Sequence, residues 1–342
     1  TSPRETYSPR FTVLKPYIII FLHHRFPEPR AAADTKWWLA AAAMAVLTVA
    51  TIAGNAGVVS ALWRARRSPQ HYPLASLAAA DLLVGVSVLP LAAARELFTF
   101  RLSFIICACW STLDVLCCTA SILSLCALGW ERYRGITDPL SRADRAKKAK
   151  LLAVLIWPAA AAVALPTTFV ETNSVSTNEM DKACTVNTNP SYVFFSVAFS
   201  FYIPTCIMLV QYGLILRALA LRPPIRAHRG QVRLQGSNSE LILVSNHVPY
   251  YFIRQRRATI TIIRLMCLFL ICWTPFFIML PVDSLCDCVL DSTWQWCTWL
   301  GYTNSALNPV VYAAAATTVR RAFEALLKTE NRPKVMTPSI RE

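Results

Sequence analysis

Seven apolar runs, each roughly as long as a bilayer is thick, limit what this chain can fold into. A membrane-spanning helix needs about 20 predominantly apolar residues. Residues 37–63, 73–94, 104–130, 151–170, 191–216, 258–282 and 294–316 meet that requirement. Of the 342 residues, 55% are hydrophobic and 15% are charged, whereas soluble domains average about 25% charged residues. There is too little charge to coat a soluble surface, and the mean hydropathy of +0.42 agrees. A bilayer is the solvent these runs require.

The net charge of +15 does not point to nucleic acid, because the basic residues sit in short segments between the apolar runs and form no soluble basic face. Twelve cysteines are too sparse for a disulfide scaffold, and none has the paired spacing of a zinc site. Lys and Arg mark cytoplasmic connections. The first connection carries Arg64, Arg66 and Arg67, the third Arg132 through Lys150, and the fifth Arg217 through Arg257. The sixth has Asp283, Asp287 and Asp291 with no basic residue. Odd connections and the tail are therefore expected inside, and the N-terminus outside.

Ionisable side chains within a bilayer are expensive and mark function by default. Asp81 lies mid-span in the second run and Asp114 in the third. Arg132 follows Asp114 by 18 residues, about 27 Å along a helix, which places Asp114 in the outer third and Arg132 at the cytoplasmic mouth. Asp114 and Cys118 share a helix face, as do Ser196 with Ser200 and Thr298 with Tyr302. Trp273, Phe276 and Phe277 form an aromatic face in the sixth run. An anion, paired hydroxyls and an aromatic wall suit a small cation that carries an aromatic ring.

The ordered landmarks then become recognisable. They are Gly54-Asn55, Asp81, Glu131-Arg132-Tyr133 with Pro139-Leu140, Trp157, Pro204 with Tyr212, Cys272-Trp273-Thr274-Pro275-Phe276-Phe277, and Asn308-Pro309-Val310-Val311-Tyr312. With them the chain resembles a class A G-protein-coupled receptor of the biogenic-amine group. The resemblance implies an all-α bundle of seven transmembrane helices (37–316), an extracellular N-terminal segment (1–36), a third cytoplasmic loop (217–253), and a short amphipathic cytoplasmic helix with its tail (317–342). It implies a signalling receptor in the plasma membrane, not an enzyme. Asn189-Pro190, Cys286-Asp287-Cys288 and the 298–309 stretch look like inhibitory dopamine receptors. Residues 113–126 and Ser196-Val197 look equally like alpha-one adrenergic or octopamine receptors. Dopamine is the first expectation, with inhibitory G-protein coupling, and an adrenergic, octopamine-like or histamine-like receptor is the alternative.

Carried over by resemblance, the ligand site comprises Asp114, Val115, Cys118, Thr119, Ser196, Ser200, Trp273, Phe276, Phe277, Leu280, Thr298, Trp299 and Tyr302. Asp81, Ser121, Asn304, Ser305 and Asn308, with Asn55, would hold an allosteric sodium ion; no other cofactor is implied. Glu131, Arg132, Tyr133, Tyr212, Gln255, Pro275, Pro309 and Tyr312 would serve G-protein coupling, with arrestin as a further partner. Glu131 would neutralise Arg132, while Gln255 stands where many members carry a second carboxylate. Cys107 with Cys184 matches the family's bridge. Cys286 with Cys288 is a second pair, with Cys297 as a competing partner. Pro158 should disturb the fourth helix, and His71 with Pro73 departs from the customary start of the second. A cation-coupled transporter could also use Asp81 and Asp114, but no internal repeat is evident. The five histidines all lie outside the seven runs, against an intramembrane hydrolase.

Overall fold

A computed structural model describes residues 28–29, 34–64, 68–99, 104–168, 189–220 and 247–315. These form seven long helices: α1 (Thr35–Arg64), α2 (His71–Leu97), α3 (Phe104–Thr137), α4 (Arg142–Ala164), α5 (Pro190–Ala220), α6 (His247–Cys286) and α7 (Asp291–Ala315). The tail helix, Cys184, most of the N-terminal segment and most of the 217–253 loop lie outside the described residues. The all-α expectation needs one small amendment. Glu28–Pro29 (β1) pairs antiparallel with Phe98–Thr99 (β2), so the segment before α1 adds a two-residue ladder at the end of α2.

Six helices, α1 to α6, are long and apolar enough to cross a membrane. The seventh is long enough but falls short on apolarity, because Asn304, Ser305 and Asn308 lie along it. Those polar residues are buried against other helices rather than turned toward lipid, so α7 belongs to the bundle by packing where composition alone excludes it. Its neighbours are α1, α2 and α6, which closes the ring, and α3 runs through the middle against α2, α4, α5 and α6. Val58, Leu77, Ile122, Leu125, Met208, Leu265 and Phe269 form the shared core. Val46, Val49, Val154, Val210 and Ile271 face outward, as lipid-facing residues must.

Prolines explain the irregular turns. A proline lacks the N–H that would bond back one turn, so a helix must absorb the missing bond. In α2 the turn Val84–Val88 is π-helical just before Pro90, and in α5 Ala198–Tyr202 is π-helical just before Pro204. Pro158 does not break α4, contrary to expectation. It sits on an exposed face, where the ring has room and only one donor is lost. Pro73 likewise causes no disruption, because it lies in the first turn of α2, where no intrahelical donor is needed. Asn189 caps α5: its Oδ1 accepts from the Ser191 N–H at 3.1 Å, with Pro190 at the first helical position.

Between α6 and α7, Asp283 accepts from the Val289 N–H at 2.9 Å and the Trp294 indole N–H at 3.0 Å. Cys286 is bonded to Cys288 there, which leaves Cys297 a free thiol. Helices α1 and α7 touch closely. A Cβ at Gly54 would lie 2.8 Å from the Pro309 ring, whereas one at Gly213 in α5 would meet nothing within 4 Å. Gly54→Ala is therefore expected to cost about 1–3 kcal/mol by overpacking against a ring that cannot fold away. Gly213→Ala should be neutral or slightly stabilising. Thermal unfolding in detergent checks this: a midpoint lowered by several degrees for Gly54→Ala alone is the expected result.

Candidate functional site

The fold gathers the polar side chains into three places along the bundle axis. At one end a cleft opens between α3, α5, α6 and α7. Asp114 lies on its α3 wall, and its Oδ2 accepts from the Tyr302 hydroxyl of α7 at 3.0 Å. Ser196 and Ser200 stand on the α5 wall. They are one turn apart, yet they are not equivalent. The Ser200 hydroxyl donates to the Ser196 carbonyl at 2.6 Å, so its proton is committed to its own helix.

Aromatic packing shapes the floor. Phe277 stacks on Phe201 with ring centroids 4.3 Å apart, and Trp273 meets Phe276 edge-on at 5.8 Å. Gly301 lets α7 close on this wall, since a Cβ there would lie 2.9 Å from the Trp273 ring. Val115, Cys118, Leu280 and Thr298 also line the cleft. Two expected residues do not. Thr119 is fully buried with its hydroxyl donating to the Val115 carbonyl at 2.7 Å, one turn back and away from the opening. Trp299 packs edge-on against Tyr302 at 5.7 Å, supporting the wall from behind.

Sequence reasoning missed Trp110, Ser111, Thr167, Tyr192 and Val193, all of which line the cleft. Two of them carried a legible signal. Trp110 is one turn before Asp114, and Tyr192 one turn before Ser196, so each extends a face already identified. Arg95 lies over the Trp110 ring at 4.6 Å from its centroid, fixing it beside the cleft. Thr167 sits on a short 3-10 turn after α4 and had no periodic signal.

Deeper in the bundle, Asp81 Oδ2 accepts from the Asn308 amide at 2.8 Å, and the Asn55 amide donates to the Thr51 and Ser305 carbonyls at 2.9 Å each. Ser121 and Asn304 are buried as well. Asp81 Oδ1, Asn55 Oδ1 and Asn304 Oδ1 are buried with no partner. Unmet oxygen acceptors are the groups that a hard cation takes as ligands. Among the described residues no cluster of three His, Cys, Asp or Glu side chains provides a transition-metal site.

At the far end of α3, the expected pairing of Glu131 with Arg132 is not formed. Glu131 Oε1 accepts from Arg145 Nη1 of α4 at 2.7 Å, while Arg132 donates to the Gln70 side-chain amide oxygen just before α2. Geometry explains the exchange: α4 starts against α3 and delivers a guanidinium to the carboxylate, so the neighbouring arginine turns elsewhere. The Tyr312 hydroxyl is buried without a partner in α7, Tyr212 is half-buried on α5, and Tyr133 is half-buried on α3. Pro275 and Pro309 lie inside α6 and α7. Gln255 is on α6, with its side chain outside the described residues. Cys107 is disulfide-bonded, and Cys184, its expected partner, falls outside the described residues.

Comparison with known proteins accords with this geometry. Residues 54–312 match the family described as 7 transmembrane receptor (rhodopsin family). The chain is 31% identical to the 5-hydroxytryptamine receptor 1D of Homo sapiens over 352 aligned residues, covering 88% of this chain and 91% of that receptor. It is 30% identical to the 5-hydroxytryptamine receptor 1B of Vulpes vulpes, with 85% and 86% covered, and 29% identical to that of Mus musculus, with 85% and 87% covered. These relatives support a biogenic-amine receptor and give no specific support to dopamine. The transporter reading is set aside with the enzymatic one: the chain belongs to the rhodopsin family of seven-transmembrane receptors and is a multi-pass membrane receptor of the biogenic-amine group.

Proposed function

We propose that this receptor binds a protonated arylalkylamine with a hydroxylated ring in the Asp114 cleft and signals through heterotrimeric G proteins at the Arg132 end. The observation that carries the reading is the Asp114 carboxylate at an aromatic-walled cleft, with one oxygen held by Tyr302 and the other without a hydrogen bond among the described residues. The ammonium pairs with that oxygen, Phe276, Phe277 and Trp273 enclose the ring, and Ser196 meets the ring hydroxyl. Basic residues crowd the connections at the Arg132 end, which favours that end as cytoplasmic, with the cleft facing outside the cell. Inhibitory G-protein coupling is the working expectation, and arrestin would share the same face.

Commitment of the Ser200 proton to its own helix leaves Ser196 as the better donor to a ligand. The relatives named as 5-hydroxytryptamine receptors support reading the ligand as a monohydroxylated indole amine ahead of dopamine, whose catechol offers two hydroxyls. Asp81 with Asn55, Ser121, Asn304, Ser305 and Asn308 is the proposed sodium site, and its charge is what a cation there would neutralise.

Removing one partner of a buried charge pair costs roughly 3–5 kcal/mol. Asp114→Asn should therefore weaken binding of tritiated 5-hydroxytryptamine or dopamine by about a hundredfold or more, and near wild-type affinity in a folded variant would contradict the assignment. Ser196→Ala should cost a ring-hydroxylated amine about 1 kcal/mol and spare an amine with a bare phenyl ring; Ser200→Ala should be milder. For sodium, wild-type amine affinity should change between sodium and N-methylglucamine buffers of equal ionic strength. Asp81→Asn should abolish that difference, and a difference retained in full would place the ion elsewhere.

A further inference from the structure

The hydroxyl protons around the cleft can be followed one by one. Ser111 donates to the Ala108 carbonyl at 3.2 Å, Thr167 to the Ala164 carbonyl, and Ser200 to the Ser196 carbonyl at 2.6 Å. Each of these protons is committed to backbone a few residues earlier in the chain, and the Tyr302 proton is committed to Asp114. Tyr192 differs. It stands in the first turn of α5, behind the Asn189 cap and one turn before Ser196, and only 7% of it is exposed. Its hydroxyl is buried and makes no hydrogen bond among the described residues, although the Ser196 and Thr167 hydroxyls lie beside it. Thr167 is already engaged twice, by its own bond to Ala164 and by the Thr112 hydroxyl at 3.3 Å. Tyr192, Ser196 and Thr167 all line the cleft, so the unmet phenol lies at its wall.

We propose that Tyr192 is a specificity-determining residue of the cleft: beside Ser196, it supplies a second hydroxyl donor to an oxygen on the aryl ring of the ligand. The inference rests on the reading that an aromatic amine anchors on Asp114 with its ring toward α5. A ring hydroxyl has one proton and two lone pairs, so its oxygen can accept from Ser196 and from Tyr192 together. A ring without that oxygen forfeits both bonds and leaves the buried phenol unmet, and a site that strands its own polar groups rejects such an analogue more strongly than one that merely loses a contact. Selection for an oxygen-bearing ring therefore comes from two consecutive turns of α5, while Ser200, committed to its own helix, contributes less.

The test is competition binding on receptor membranes with two matched pairs of amines, 5-hydroxytryptamine with tryptamine and dopamine with phenethylamine. Tyr192→Phe keeps the ring and removes the hydroxyl alone. It should weaken the oxygen-bearing member of at least one pair about three- to tenfold and leave the bare-ring member within about twofold of wild type, which also reports that the cleft is folded. In the double variant, Ser196→Ala with Tyr192→Phe, the preference for the oxygen-bearing member should vanish, because both donors are gone. Equal weakening of the two members of each pair would mean that the phenol only packs. Unchanged binding of all four amines, or a preference kept in full by the double variant, would mean that it meets no ligand oxygen. Any of these results overturns the inference and leaves the Asp114 cleft standing. Wild-type membranes that bind none of the four amines would instead overturn the amine reading beneath it.

Discussion

The pairing of polar groups between helices, in a solvent that cannot pair them, is the constraint on which the rest of this structure depends. Within the hydrocarbon layer an unmet donor or acceptor costs several kcal/mol, so pairing across the bundle is strongly favoured. Tyr302 reaches Asp114 from α7 to α3, Asn308 reaches Asp81 from α7 to α2, and Asn55 reaches the Ser305 carbonyl from α1 to α7. Ser124 donates to Ser76 between α3 and α2 at 3.1 Å. These bonds fix which helices are neighbours. They also explain why α7, the least apolar helix, is held at the centre of the polar contacts rather than excluded from the bilayer.

The same bonds put chemistry where a receptor needs it. The cleft and the Asp81 layer are both built on α3 and α7 or their close neighbours, and Trp273 with Gly301 lies between α6 and α7 at the floor of the cleft. In the proposed mechanism a ligand against Trp273 biases a bundle with two arrangements, and α6, carrying Pro275 within it, is the element able to move. At the opposite end of α3, Arg132 donates to the Gln70 side chain. A ligand shifts such an equilibrium only by its differential affinity for the two arrangements.

Much of this was legible in the sequence because bilayer thickness and helical periodicity leave few choices. The seven runs fixed the helix count, and faces one turn apart put Asp114, Cys118, Ser196, Ser200 and Tyr302 in one cleft. What was not legible depended on where helices begin and how they touch. Arg145 looked like one of many basic residues in a loop, yet the helix starts at Arg142 and turns it into the partner of Glu131. Thr119 had the right neighbours in sequence but falls one residue off the cleft face. Pro158 read as a breaker, and an outward-facing position made it tolerable. The non-equivalence of Ser196 and Ser200 depends on a single hydroxyl orientation, which spacing cannot encode.

The central claim is that the cleft selects its ligand by charge at Asp114, and charge can be removed from the ligand without touching the protein. Competition binding on receptor membranes should compare 5-hydroxytryptamine with 5-hydroxytryptophol, in which an uncharged hydroxyl replaces the ammonium on the same ring. The alcohol should bind about a hundredfold more weakly or worse, the amount expected when a buried carboxylate loses its counter-ion. Equal affinity for the two compounds, or binding of neither them nor any other aromatic amine, would contradict the account.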